Sequence, residues 1–277
     1  MFSIIRQLYT SKIISVKFLV SSLFCLIVFI YDRTRLQAFA KYIDAPLTLG
    51  EPFIFTLSNI FSVTVYSLAI IFTLSDTNTQ YRTLAFYRLR ISKLKWKICT
   101  LVSFLMVVFT MLILLLLCDF ISLSPMDISD NWSEPLNVMS FVNPSLSEDM
   151  FGIYYCAPNV ISSFNVPEAA SLAFVLMFLY MNILVLILYA CDSFFKSNVS
   201  VFITMLFHFV DYGLSYSKVT SRYSLLARSL LNENNLMTQY DEPRIFSLTS
   251  SLILLAAVYV ILVLVICINK SRDKSTA

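Results

Sequence analysis

Six apolar segments, each about the length needed to cross a bilayer as a helix, constrain the fold of this chain most strongly. Four of them contain no charged residue, namely 53–74, 98–118, 170–191 and 247–268. A helix needs ~20 mostly apolar residues to cross the ~30 Å hydrocarbon core of a membrane. The apolar residues form continuous runs rather than alternating with polar ones, which excludes a membrane β-barrel. The sequence therefore predicts an all-α, polytopic membrane protein.

Two further segments complete a set of six predicted spans. The first span, 13–31, carries Lys17 near its start, where a long side chain can reach the lipid headgroups. The fifth span, 197–213, is the weakest, because few residues separate Lys196 from Asp211. It is tilted, extended or broken, and the sequence leaves these alternatives open. The composition agrees with a single membrane domain over 1–277, since 58% of the residues are hydrophobic and only 13% are charged, against ~25% charged in soluble domains.

The distribution of lysine and arginine predicts that both termini are cytoplasmic. In that orientation the inner side holds 13 of these residues and the outer side seven, as the positive-inside rule requires. A cytoplasmic loop, 75–97, then joins the second and third spans, and external loops 119–168 and 214–246 follow the third and fifth. The net charge of +3 is too small to indicate nucleic-acid binding.

The cytoplasmic loop has the pattern of a basic amphipathic helix that leads into the third span. Apolar residues recur at spacings of three and four, and basic residues occupy another face. The apolar positions are Leu84, Tyr87, Ile91, Leu94 and Ile98, and the basic positions include Arg90, Lys93 and Lys97. Such a helix either lies among anionic headgroups, which the composition slightly favours, or docks a cytoplasmic protein.

Residues 87–97, with the sequence YRLRISKLKWK, enter the third span directly. This segment resembles the connection between the second and third spans of ABC-2-type transporter permeases, most closely the small six-span permeases of low-GC Gram-positive bacteria that act in peptide or bacteriocin export or immunity. A short basic N-terminus and the basic tail 269–274 agree with that organisation. The resemblance implies that the loop forms a coupling helix on an ATPase subunit, with contacts from Arg82, Arg88, Arg90, Lys93 and Trp96. For Trp96, the sequence favours the other role, an anchor at the membrane interface.

The chain has no Gly-x-x-x-x-Gly-Lys-Ser/Thr motif and only three glycines, so it cannot build the usual phosphate-binding loop. We therefore do not expect the chain itself to be an enzyme or to hold a cofactor. The resemblance implies two copies of a partner ATPase that bind ATP and Mg, and a second permease that is identical or homologous. It also implies a multi-pass location in a bacterial plasma membrane, in contact with lipid.

The external loop 119–168 contains seven acidic residues and no lysine or arginine. At this length, a loop without strong periodicity is either functional or poorly ordered. One interpretation is an anionic vestibule that concentrates a cationic substrate such as an antimicrobial peptide, formed by Asp127, Asp130, Glu148 and Asp149. The alternative, which the sequence favours, is a solvated acidic face.

Three polar residues inside the predicted spans are candidates for a substrate path, namely Asn59, Asn182 and His208. Buried amides more commonly bond across helices. His208 and Asp211 are three residues apart on one helix face, which indicates a structural pair or, less readily, a proton relay. Because His208 is the only histidine and no Cys-x-x-Cys motif occurs, no multi-histidine metal site or dithiol redox site is expected. Whether the external cysteines Cys118 and Cys156 pair is left open.

The leading hypothesis is thus the membrane-spanning permease subunit of an ATP-driven transporter. Its substrate would be an amphipathic or cationic peptide, in export or antimicrobial peptide resistance, or else a lipid or hydrophobic drug. The alternative is a non-transporting membrane receptor, immunity protein or assembly scaffold, which needs no ATPase. A secondary transporter is less favoured, because the sequence has no clear internal repeat and no charge within the four clear spans.

Overall fold

The computed structural model describes residues 1–75, 91–121, 126–153, 157–195, 197–217, 219–233 and 247–268. Within these ranges the chain is all-α apart from one pair of two-residue strands, as predicted. The helices are α1 (Phe2–Ile13), α2 (Val16–Ile43), α3 (Glu51–Ser58), α4 (Ile60–Leu74), α5 (Lys93–Phe120), α6 (Glu134–Asn137), α7 (Pro144–Phe151), α8 (Pro158–Ser163), α9 (Val166–Phe194), α10 (Ser197–Tyr216), α11 (Leu225–Ser229) and α12 (Leu248–Ile268). Short π or 3₁₀ turns cover Val138–Val142, Ser221–Tyr223 and Leu231–Glu233. Strands β1 (Leu47–Thr48) and β2 (Met126–Asp127) pair in parallel.

Four helices are long and apolar enough to cross a membrane on their own, namely α5, α9, α10 and α12. Two more spans are available if each bent pair counts as one, with α1 and α2 meeting at 61° and α3 and α4 at 81°. By length and composition, the described residues therefore contain four to six candidate spans. The prediction of a helical membrane protein is confirmed at that level, whereas the number six and the cytoplasmic termini stay predictions.

The helices around the first predicted span, 13–31, have bounds that differ from those of the span. A break separates α1 from α2, and Ser15 starts α2 by accepting a hydrogen bond on Oγ from the amide of Phe18 at 3.2 Å. The helix then continues well past the predicted end, to Asp44, whose left-handed conformation (φ 60°) terminates it. The extension was missed because its several charged residues have the composition of a loop.

The second predicted span, 53–74, is not one straight helix. Asn59 has extended backbone angles and interrupts it, and its side-chain oxygen accepts a hydrogen bond from the amide of Phe61 at 3.0 Å. Asn59 is thus the N-cap of α4. All eight residues of α3 are buried, and α3 packs against α2 and α9.

The other spans are close to their predicted positions. Helix α5 starts at Lys93 rather than at residue 98, and α9 starts before residue 170 because Asn165 and Glu168 form a reciprocal capping box. Helix α10 runs unbroken for 20 residues, or ~30 Å at 1.5 Å per residue. The weakest predicted span is therefore long enough for a full crossing.

Helix α9 is the central element, because α3, α4, α5, α10, α11 and α12 all pack against it. It runs antiparallel to α5, since Tyr189 meets Phe104 edge to face at 5.6 Å and Phe178 meets Phe109 in the same way at 6.3 Å between ring centroids. The two ends of the bundle can then be named. We call the end that holds the start of α5 the basic end. We call the opposite end, which holds the last residues of α5, the cap end, after the segment described next.

The predicted external loop 119–168 is folded over much of its length. We name residues 126–165 the cap; its described parts contain β2, α6, α7 and α8. Pairing of β2 with β1 joins the cap to the connection between α2 and α3. Arg35 of α2 also donates to the carbonyl oxygen of Phe151, from Nε at 3.1 Å and from Nη2 at 2.8 Å, and to that of Gly152. Helix α2 thus supports the C-terminal end of α7, where a cation is favourable.

Candidate functional site

Of the predicted ATPase contacts, only Lys93 and Trp96 lie within the described residues, and Arg82, Arg88 and Arg90 lie outside them. Lys93 is exposed in the first turn of α5. The Trp96 side chain is only 4% exposed and packs with Ile4 and Leu8 of α1. Trp96 therefore fixes α1 against the start of α5, a packing role that the sequence did not indicate because α1 was not predicted.

Residues on both sides of the segment 76–92 are bonded to other helices. Before it, Ser75 accepts a hydrogen bond on Oγ from Lys17 Nζ at 2.8 Å, and its carbonyl accepts one from Ser197 Oγ at 2.6 Å. After it, Lys97 Nζ donates to the carbonyl of Ile266 at 2.7 Å. The segment is thus linked to α2 and α10 on one side and to α12 on the other.

Asn59, a predicted substrate-path residue, belongs to a buried polar cluster at the bend between α3 and α4. Its Nδ2 lies 3.4 Å from Asp32 Oδ1, and the hydroxyl of Ser62 donates to the other carboxylate oxygen. Asp32 is only 1% exposed. The cluster joins α2 to the start of α4. Asp32 was not singled out from the sequence, because it follows the first apolar run directly and was assigned to its polar end.

Asn182, the second predicted path residue, is buried in α9. Its Nδ2 donates to the carbonyl of Phe178, one turn earlier in the same helix, at 2.7 Å. The expected hydrogen bond across helices is therefore not the one observed for this amide. A role for Asn182 in a substrate path stays a prediction.

His208 is joined to Asp211 through Tyr180 of the central helix. The Tyr180 hydroxyl donates to Asp211 Oδ2 at 3.1 Å and lies 2.8 Å from His208 Nδ1. Because a tyrosine has one hydroxyl proton, this geometry is satisfied when His208 carries its proton on Nδ1 and donates it to the Tyr180 oxygen. All three side chains are buried. The sequence identified the histidine and the aspartate but not Tyr180, which resembles the many other aromatic residues of the spans.

Asp211 binds the segment that follows α10. Its Oδ1 accepts a hydrogen bond from the amide of Leu225 and its Oδ2 from the amide of Leu226, both at 2.9 Å. Its carbonyl accepts a further bond from Ser224 Oγ at 3.1 Å. These amides belong to the first turn of α11, which has no intrahelical acceptors for them. Asp211 therefore folds the chain back onto the bundle, and α11 packs against α9, α10 and α12.

Two other buried carboxylates accept hydrogen bonds from backbone amides near the cap, and one of them, Glu51, connects the cap to the bundle. Glu51 is fully buried and accepts hydrogen bonds from the amide of Thr48 at 2.8 Å and from the amide of Ser133 at 2.6 Å. Asp119 is equally buried and accepts one from the amide of Gly50 at 3.0 Å. Gly50 has φ +98°, a conformation that favours glycine. Asp119 was counted among the acids of a solvated loop, and that assignment is wrong because the last turn of α5 carries it inward.

The acidic residues predicted for a vestibule are distributed over the cap. Asp127 and Asp130 are exposed in and after β2, Asp149 is exposed on α7, and Glu148 belongs to the same helix. The exposure of the three aspartates is compatible with both the vestibule and the solvated face. Cys118 carries a free thiol, and Cys156 lies outside the described residues.

No match to this chain was found among models of protein families, curated proteins or solved structures.

Proposed function

We propose that the chain is the membrane-spanning permease subunit of an ATP-driven ABC transporter in a bacterial plasma membrane. It pairs with a second permease, identical or homologous, and two separate ATPase subunits bind ATP and Mg. The substrate is an amphipathic or cationic peptide, or a lipid or hydrophobic drug. The four to six candidate spans and the loose resemblance of residues 87–97 to a coupling connection support this proposal.

The bonds that Ser75 and Lys97, on either side of segment 76–92, make with three other helices carry the proposal. A displacement imposed on this segment by closing ATPase subunits acts through Ser75 on α2 and α10, and through Lys97 on α12. Packed helices and their hydrogen bonds transmit such a displacement as small rigid-body shifts. The basic segment would thus be a lever on the helices that lie beside the central α9.

Purification of the tagged chain from its native membrane in mild detergent tests the proposal. We expect a stoichiometric partner that carries the nucleotide-binding motif this chain lacks. Recovery of the chain without an ATPase, even after crosslinking through residues 76–92, would contradict the transporter proposal.

Charge reversal in the basic segment should separate the ATPase from the permease. In the triple variant Arg88→Glu, Arg90→Glu, Lys93→Glu, we expect at least ~10-fold less co-purified ATPase and an equal loss of transport, because attraction to the partner becomes repulsion. The matched control is the triple reversal of Lys270, Arg272 and Lys274, which changes the charge equally on the same predicted side. Unchanged transport in the first variant, with normal insertion of both, would exclude these residues as the lever.

Neutralising four acidic side chains of the cap should weaken the handling of a cationic substrate. For the combined variant Asp127→Asn, Asp130→Asn, Glu148→Gln, Asp149→Asn, we expect a several-fold drop in resistance to a cationic peptide, because the local anionic potential falls. The difference from the parent chain should shrink at high salt, which screens exposed charges. An unaltered resistance at low salt would reject the vestibule and favour the solvated face.

A non-transporting receptor or immunity protein is the second candidate, and the folded cap supports it. Glu51 and Arg35 hold the cap on the bundle, so it presents a fixed acidic surface to a cationic partner. This function needs no ATPase, and the purification experiment distinguishes the two.

A further inference from the structure

A cavity of about 570 Å³ opens between α10, α11 and α12 at the cap end. Its volume falls within the ~300–1,000 Å³ range of typical ligand sites. Phe207, Val210, Leu214 and Leu254 form its apolar walls, and Asp211, Arg222 and Arg228 contribute its charged groups. The cavity therefore combines an apolar wall with two guanidinium groups.

The charged and apolar side chains that line the cavity lie at different depths along the helices. Arg228 lies 3.4 Å from Ser250 Oγ in the first turn of α12, whereas Leu254 is one turn further from the cap end. On α10, Phe207 and Val210 are likewise further from the cap end than Leu214. A ligand in this cavity meets cations near the end of the bundle and apolar side chains deeper in it, which is the polarity of a lipid in a leaflet.

Arg222 has an unsatisfied donor at this site. Its Nε is buried, with no hydrogen-bond partner in the part of the chain that the structure describes, and its guanidinium lies 5.0 Å from the Tyr223 ring centroid. Arg228 is oriented beside it, because its Nε and Nη2 donate to the Arg222 carbonyl at 3.1 and 3.0 Å. A buried donor without an acceptor is unfavourable, and a phosphate oxygen would satisfy it with a charge-assisted hydrogen bond.

Asp211 does not cancel this preference for an anion. Both of its carboxylate oxygens accept backbone amide hydrogens at the start of α11, and Oδ2 also accepts the Tyr180 hydroxyl hydrogen. With one carboxylate engaged in this way against two guanidinium groups, the charged lining of the cavity is net positive.

We propose that the cavity binds an anionic phospholipid from the cap-end leaflet, with its phosphate on Arg222 and Arg228 and its acyl chains along the walls formed by α10 and α12. The site requires that the chain lies in a membrane and does not depend on the proposed coupling to an ATPase.

Quenching by brominated lipids tests this site. The variant Tyr223→Trp places a fluorophore at the cavity and keeps an aromatic ring beneath Arg222; the signal of the parent chain, from Trp96 and Trp132, is subtracted. The chain is reconstituted in phosphatidylcholine vesicles that contain equal fractions of either brominated phosphatidylglycerol or brominated phosphatidylcholine. We expect an apparent affinity about fivefold higher for the anionic lipid, as for one basic residue against an anionic headgroup.

Three further variants identify the source of the preference. Arg222→Gln should abolish it, Arg222→Lys should retain part of it, and Lys41→Gln, which removes an exposed cation at the same end, should leave it unchanged. Leu254→Phe narrows the cavity at its apolar wall and keeps both arginines. It should therefore reduce quenching by both lipids.

The thermal unfolding midpoint of each variant in detergent identifies any variant that is misfolded. Equal quenching by the two lipids in a folded Tyr223→Trp protein would mean annular lipid only and would overturn the proposal. A preference that survives Arg222→Gln and disappears at high salt would indicate nonspecific surface attraction and would overturn it as well.

Discussion

Replacement of Asp211 with alanine should lower the free energy of unfolding by about 3 kcal/mol. The change removes the acceptor for the amides of Leu225 and Leu226 and for the Tyr180 hydroxyl, and each buried group left without a partner costs about 1–3 kcal/mol. Thermal unfolding in detergent measures the loss. Limited proteolysis of 217–233 should show faster cleavage, because the returning segment loses its attachment to α10.

Graded variants separate this role from a general effect of removing a charge. Asp211→Asn keeps one acceptor oxygen and should lose about half as much stability. Tyr180→Phe removes the hydroxyl bonds to His208 and to Asp211 but leaves both α11 amides bonded to Asp211, so its loss should be about 1 kcal/mol without faster proteolysis. Asp130→Ala, at an exposed aspartate, should be neutral. If Asp211→Ala unfolds and is cleaved like the parent chain, the carboxylate does not hold the segment.

The apolar runs were sufficient to predict the membrane class and the main helices. Their length and lack of charge leave a helix as the way to satisfy the backbone in lipid, and α5, α9 and α12 follow their predicted ranges closely. The predicted external loop 214–246 contains a short helix, α11. Its position against the bundle depends on Asp211, and no local pattern could predict it.

The breaks and the buried charges were not predictable in the same way. A single residue, Ser15 or Asn59, starts a new helix inside an apolar run. A serine or an asparagine is equally compatible with an unbroken span, so neither break could be predicted. Glu51 accepts a hydrogen bond from the amide of Ser133, which is 82 residues away in the sequence. Asp119 accepts one from the amide of Gly50, which is 69 residues away. A carboxylate beside a span is ordinarily assigned to its solvated end, so only the tertiary fold identifies these as interior groups.

Loss of the Glu51 carboxylate should release the cap from the bundle. Glu51→Ala leaves the buried amides of Thr48 and Ser133 without acceptors, and we expect a loss of about 4 kcal/mol in the free energy of unfolding, because hydrogen bonds to a charged group are among the stronger ones. Protease cleavage within residues 126–165 should accelerate more than cleavage within the bundle. Mass spectrometry of the early fragments measures the difference.

The position of Glu51 also allows its effect on the handling of a cationic peptide to be separated from any effect on binding of the ATPase. Glu51→Gln keeps one acceptor oxygen but directs an amide donor at the other backbone N–H, so its loss should be intermediate. Glu134→Ala, an exposed acid at the start of α6, is the matched control. Because the cap lies at the opposite end of the bundle from Ser75 and Lys93, which flank the basic segment, folded Glu51→Gln protein should retain ATPase co-purification while its handling of a cationic peptide falls. Equal loss of both, or unchanged cleavage of the cap in Glu51→Ala, would show that Glu51 does not act by holding the cap in place.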